Sequence, residues 1–132
     1  MEGRKARRRR FVPHRIEFLQ DPRWVRIIGS GEIDGATAEE LARRAVTVSR
    51  ENETDRYLCD FRQAVLVDSA ADVYDLPMHA ARVGLKRTDR IAIVHSKQEE
   101  VFRFVETVAM NRGYEVRVFH SEDRASGWLR AG

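Results

Sequence analysis

Two apolar runs, each followed by a stripe at helical spacing, fill the last third of this chain and leave few folds open. Arg90-Ile-Ala-Ile-Val-His95 is strand-like, and Val101, Phe102, Val105, Val108 and Ala109 then recur every three or four residues. Tyr114-Glu-Val-Arg-Val-Phe119 repeats the strand pattern, and Ala125, Trp128 and Leu129 form one face of a last helix. Asn111-Arg-Gly113 ends the first helix, because glycine takes the left-handed conformation that closes a helix at little cost. Such alternation requires a sheet that is parallel at least in part, with helices packed against it.

The earlier residues extend this pattern. Arg15 to Gln20 and Arg23 to Ser30 predict two strands, with Asp21-Pro22 turning the chain between them. Gly31-Glu-Ile-Asp-Gly35 reads as a glycine-punctuated link. Thr37-Ala-Glu-Glu40 has capping-box spacing before a helix with Leu41, Ala42, Ala45, Val46 and Ser49 on its inner face. That helix ends in the polar run from Arg50 to Asp55. Tyr57-Leu-Cys-Asp-Phe61 is then a short central strand, apolar enough to be covered on both faces, and Gln63 to Val67 form a connector. Ser69 opens a helical segment, with Asp72 at box-like spacing. Pro77 forces a restart capped by Asp75, and Met78, Ala81 and Leu85 are expected on the buried face. Ser96-Lys-Gln-Glu99 and Ser121 provide the caps of the two final helices.

Charge is divided unevenly. Residues 1–10 carry six basic groups against one glutamate, a net +5, whereas the other 122 residues have 18 basic and 20 acidic groups, a net −2. The division predicts a basic tail over residues 1–13 and one α/β domain over residues 14–132. The tail has the charge to contact nucleic acid or an anionic surface, but it lacks an aromatic residue before Phe11 for base stacking. The bland alternative is a solvating extension. No apolar run approaches the ~20 residues of a membrane span, and no apolar segment follows the basic N-terminus as in a secretory signal. The single cysteine, Cys59, excludes an internal disulfide and fits a reducing, cytoplasmic setting. In the middle of an apolar strand its thiol is expected to be an inert core group.

The residues from Asp60 to Ser69 carry a resemblance. A strand ends at an aspartate, an apolar triplet follows, and Val65-Leu-Val-Asp-Ser69 closes on Asp-Ser at a helix start. This layout resembles the anti-sigma factor antagonists, the STAS or SpoIIAA-like domains. Downstream, Asp72-Val-Tyr-Asp-Leu-Pro77, Arg90-Ile-Ala-Ile-Val94, Phe104 to Tyr114 and Val118-Phe119 are similar to small bacterial SpoIIAA-like proteins. The resemblance spans residues 15–130. It implies a single α/β domain in which an N-terminal β-hairpin joins a mostly parallel central sheet covered by about four helices. It also implies a non-enzymatic, regulatory, protein-binding role. In the antagonists the serine of the Asp-Ser pair is phosphorylated by a partner kinase, and the matching residue here is Ser69. Those proteins continue Asp-Ser-x-Gly, whereas this chain has Ala71 at the last position.

Three further sets of residues invite a function. The carboxyl ends of parallel strands are where ligands sit in open α/β sheets, and those ends place Arg62, His95, Ser96 and His120 together as a candidate small-anion or metabolite site. Polar helix caps at the surface are the plain alternative. The histidines occur singly, without ligand spacing or an acidic partner, so neither a metal nor a cofactor is read, and no catalytic residue is assigned. Trp24, Trp128, Phe102, Phe104 and Phe119 have the spacing of core packing, with a lipid or cofactor pocket as the alternative. The 102–109 stripe serves equally as core or as a homodimer face.

Overall fold

The computed structural model describes residues 14–67 and 69–131, and of Ala70 and Ala71 the backbone alone. The basic tail and Asp68 lie outside the described residues. Five strands form one sheet: β1 (Arg15–Phe18), β2 (Val25–Ile33), β3 (Arg56–Leu66), β4 (Arg90–Val94) and β5 (Glu115–Phe119). Their spatial order follows the sequence, β1-β2-β3-β4-β5. The β1–β2 pair is antiparallel and the other three pairs are parallel. Between the strands run α1 (Gly35–Glu51), α2 (Ala70–Tyr74), α3 (Leu76–Arg82) and α4 (Glu99–Asn111), and α5 (Glu122–Ala131) ends the chain.

Strand alternation divides the core between two faces. Val25, Ile27, Tyr57, Cys59, Ile93 and Val116 face one side, where Ala45 of α1, Val73 of α2 and Phe102 and Val105 of α4 pack on them. Trp24, Leu58, Ala92 and Val94 face the other side and meet Ala125 and Leu129 of α5. The sheet is thus covered on both sides, which explains the near-continuous apolar reading of β3 and β4. Among the described residues no helix is long and apolar enough to cross a membrane.

Several local expectations change. β3 runs eleven residues, not five, and the supposed connector from Gln63 is strand. The link from Gly31 is strand too, and it supplies the missing partner, with Ser30↔Gln63 through Ile33↔Leu66 in register. The register slips between Ile28 and Ser30, at Gly29, where a Cβ would come within 2.9 Å of Ile33 Cδ1 and of the Phe61 ring. Thr37 is not the cap of α1. Asp34 caps it, its carboxylate accepting the Thr37 N–H at 2.8 Å. Ser96 does not cap α4 either: Gln98 holds the cap position in the left-handed region (φ 59°), and the Ser96 hydroxyl donates to the Arg62 carbonyl at 3.0 Å. The restart at Pro77 is as expected, but Met78 and Ala81 face solvent while Leu76, Ala80 and Leu85 pack inward. The inward face is therefore set by Leu76 and its neighbour one turn on, not by Met78. Phe104 is also exposed, whereas Trp24 and Phe102 are buried in the core.

Candidate functional site

The segment leaving β3 is built from both of its neighbours. The Val67 N–H donates to the Ile33 carbonyl at 3.0 Å. The Gln98 side-chain amide pairs with the backbone of Leu66, accepting its N–H at 2.8 Å and donating to its carbonyl at 2.9 Å. Gln98 thus continues the ladder where β4 has already ended, and it fixes the point from which residues 67–69 depart. Ser69 is exposed at the head of α2. Its hydroxyl donates to an Asp72 carboxylate oxygen at 3.0 Å and accepts the Asp72 N–H at 3.2 Å, while the Ser69 N–H reaches the same carboxylate at 3.4 Å. This is a reciprocal capping box, so the plain reading of Ser69 as a cap describes its present geometry. Large apolar side chains that face solvent occur near it in sequence and on the helix that α2 and α3 pack against. Val67, Tyr74 and Met78 flank Ser69 along the chain, and Phe104 and Met110 lie on α4, against which α2 and α3 pack; all five are between 36% and 54% exposed.

The residues expected at the strand ends separate into two clusters. Arg62 forks onto Asp60 at 2.9 and 2.7 Å and reaches Glu122 at 3.3 Å, while Arg26 lies 3.4 Å from Glu122 and 3.8 Å from Asp60. Arg62 is therefore matched by carboxylates and offers no uncompensated charge to an anion. The sequential strand order also has no reversal point of the kind that opens a ligand crevice in doubly wound sheets. The Arg62 fork holds the Asp60 carboxyl below the usual carboxylate range, with Arg26 adding to it and burial opposing. Because the folded value is depressed, this pairing contributes stability above pH ~4 and loses it as the pH falls toward the folded value. Arg62→Gln is accordingly expected to move the acid-unfolding midpoint, followed by circular dichroism, to higher pH; an unmoved midpoint contradicts the pairing.

The second cluster contains His95, His120 and Glu99, which in the sequence marks only the start of a helix. His95 is 2% exposed and its ring stacks on Phe102 at 4.6 Å. His120 stands edge-on to it at 4.8 Å, and its Nε2 lies 2.6 Å from a Glu99 carboxylate oxygen, whose other oxygen accepts from Arg103 at 2.8 Å. The histidines are thus neither isolated nor without an acidic partner. Burial, and then the nearby His120, lower the His95 pKa; the His120 contact, and then Arg103, lower that of Glu99. His95, Glu99 and His120, with Arg103 and Glu106, line a small cavity of about 130 Å³.

A third feature is not marked in the sequence. An apolar cavity of about 190 Å³ lies between the sheet and α1, α3 and α4, lined by Cys59, Phe61, Leu76, Ile93 and Val105 among others. None of the five aromatics considered for a pocket lines it. At its edge Glu39 binds His79 at 2.6 Å, Arg43 at 2.9 Å and Arg82 at 3.3 Å, which holds its carboxyl down to about 2 and fastens α1 to α3. Burial, with Asp60 adding, pushes the Cys59 thiol up to about 12, so it stays protonated and inert at neutral pH. The native protein at pH 8 is expected to leave a thiol reagent such as Ellman's unreacted until denaturant is added; prompt stoichiometric labelling of native protein contradicts this.

The fold as a whole is matched in solved structures. An uncharacterized protein of the DUF3478 family from Shewanella loihica PV-4, described as having a SpoIIAA-like fold, superposes with a TM-score of 0.58 at 17% identity, over 89% of this chain and 92% of that one. This chain has the SpoIIAA-like fold. The anti-sigma factor antagonist SpoIIAA in its unphosphorylated form matches with a TM-score of 0.52 at 14% identity, over 91% of this chain and all of that one. The Bacillus cell fate determinant SpoIIAA in its phosphorylated form gives 0.54 at 14% identity, over 89% of this chain and all of that one. No family model matches the sequence, and no curated protein matches it. At such identities the likeness is one of fold, and function has to be argued from the site.

Proposed function

We propose that this chain is a non-enzymatic, cytoplasmic interaction module of STAS type, whose contact with a protein partner is controlled by phosphorylation of Ser69. The observation that carries the reading is the position of Ser69: an exposed hydroxyl in a capping box, flanked by the exposed apolar side chains Val67, Tyr74 and Met78. Large exposed apolar side chains so close in sequence favour contact with another protein. Likeness to SpoIIAA, an anti-sigma factor antagonist with both phosphorylated and unphosphorylated structures, supports the same role.

The chemistry of a switch follows from the box. The Ser69 hydroxyl is a donor to Asp72 only while it carries its proton. A phosphate there brings a charge of about −2 and no donor to a carboxylate now 3.0 Å away. Like charges at that distance drive Asp72 off, so the box opens and the five-residue α2 loses its first turn. The partner surface formed by α2 and α3 changes with it. Incubation with ATP and an extract of the source cells is expected to label the wild type and Ser69→Thr, which keeps both the cap and a hydroxyl, and not Ser69→Asn, which keeps only the cap. Equal labelling of all three removes Ser69 from the account.

A further inference from the structure

We propose that His95, Glu99 and His120 form a binding site for a transition-metal dication of the zinc class, joining the ends of β4 and β5 to the head of α4. One donor atom from each of the three residues lies within 4.8 Å of the others. Two imidazoles and a carboxylate are a ligand set that suits zinc and its neighbours, and three protein groups leave a fourth tetrahedral position for water.

The least mobile member is already oriented. The His95 ring lies at 8° to the Phe102 ring, and its Nδ1 is 3.3 Å from the Lys97 carbonyl. A carbonyl accepts only from an N–H, so a neutral ring that donates through Nδ1 to Lys97 keeps the Nε2 lone pair for a metal. This is the outer contact by which a histidine is aimed at a metal. Glu99 and His120 are exposed and can rotate. Donors around zinc at ~2.1 Å stand roughly 3.4 Å apart, so rotation of these two side chains has to bring the separations of up to 4.8 Å inward and let the 2.6 Å contact between Glu99 and His120 open.

The present bonds of the cluster do not oppose a cation strongly. The Arg103 contact with Glu99 joins two exposed side chains and is cheap to break. Glu106, in the same cavity, adds a second carboxylate whose oxygen accepts the Val118 N–H. The positive end of α4 disfavours a cation, and Glu99 and Glu100 in its first turn offset that term. Without a metal, the His120–Glu99 contact is a surface hydrogen bond at 2.6 Å beside the His95 ring.

The chain has four histidines, and the other two, His14 and His79, lie elsewhere: His14 receives the Ser30 N–H and His79 binds Glu39. The full chain, stripped with a chelator, is titrated with ZnCl₂ by calorimetry at neutral pH, and with Co²⁺ followed by its visible absorption. The expected result is one saturable equivalent, weakened more than about tenfold in His120→Ala and in Glu99→Ala and unchanged in His79→Gln. Both ligand substitutions are at exposed positions, so the variants fold whether or not they bind; His95→Ala, which opens the core, is avoided. No saturable binding by the wild type, or unchanged affinity in either ligand variant, overturns the site. This result is independent of labelling at Ser69.

Discussion

Replacing Phe102 by alanine is expected to lower the unfolding free energy by about 3–5 kcal/mol, the usual cost of removing a core phenylalanine. Phe102 is 1% exposed in the larger of the two core faces, where α4 meets the sheet, and His95 stacks on its ring. Alanine leaves a cavity that the ladder of β4 with β3 and β5 prevents from collapsing, and it removes the support beneath His95. Two residues on, Phe104 is exposed, and Phe104→Ala is expected to cost under about 0.5 kcal/mol. Urea denaturation reads both. A Phe102→Ala loss below about 1 kcal/mol means that α4 is not seated through this residue.

The second large effect is at Asp89, whose side chain is 1% exposed just before β4. It accepts from Arg50 Nη2 at 2.9 Å and from the Lys86 N–H at 2.8 Å, so it closes a turn and joins it to the end of α1. The same guanidinium reaches the Gly84 carbonyl and the Ser49 hydroxyl, and the Tyr57 hydroxyl donates to Ser49 at 2.7 Å. Asp89→Ala leaves the Lys86 amide without its acceptor and Arg50 without its counter-charge. Breaking a buried pair costs about 3–5 kcal/mol, but Arg50 is about one-third exposed and turns partly to water, so about 2–3 kcal/mol is expected. Asp89→Asn, which keeps an acceptor, is expected to lose about half of that. Equal stability of Asp89→Ala and wild type contradicts the network.

The parts of the fold visible in the sequence were those with strong periodicity. The 101–109 stripe, the apolar β4 and β5 and the Ala125–Leu129 face all stand where spacing put them, because burial on one face enforces one period. What spacing did not reveal depended on partners distant in the chain. Ser96-Lys-Gln-Glu99 has the same box pattern as Ser69-to-Asp72, yet only the latter forms a box. The Ser96 hydroxyl is taken by Arg62 and the Gln98 amide by Leu66, more than thirty residues away. The length of β3 is hidden in the sequence because Gln63 to Leu66 become strand only when Ser30 to Ile33 lie beside them, and glycines obscure that stretch of β2. Asp89 sits in an unremarkable Lys-Arg-Thr-Asp turn, and nothing in the sequence marks it as buried. In the sequence Glu99 marks only a helix start, because the turn from His95 to Glu99 crosses a strand end, where no period holds.

The decisive measurement for the proposed function is mass-spectrometric localisation of phosphate in the wild-type chain after incubation with ATP and an extract of its source cells. Other hydroxyls at comparable junctions, Ser96 and Ser121, serve as internal controls: Ser96 donates to the Arg62 carbonyl, and Ser121 accepts the Arg124 N–H at 3.2 Å as the cap of α5. The account predicts phosphate on Ser69, together with faster hydrogen exchange of the Val73 amide, which bonds the Ser69 carbonyl at 3.1 Å. Phosphate on Ser96 or Ser121 with Ser69 unmodified, or no phosphate anywhere on the chain, contradicts it.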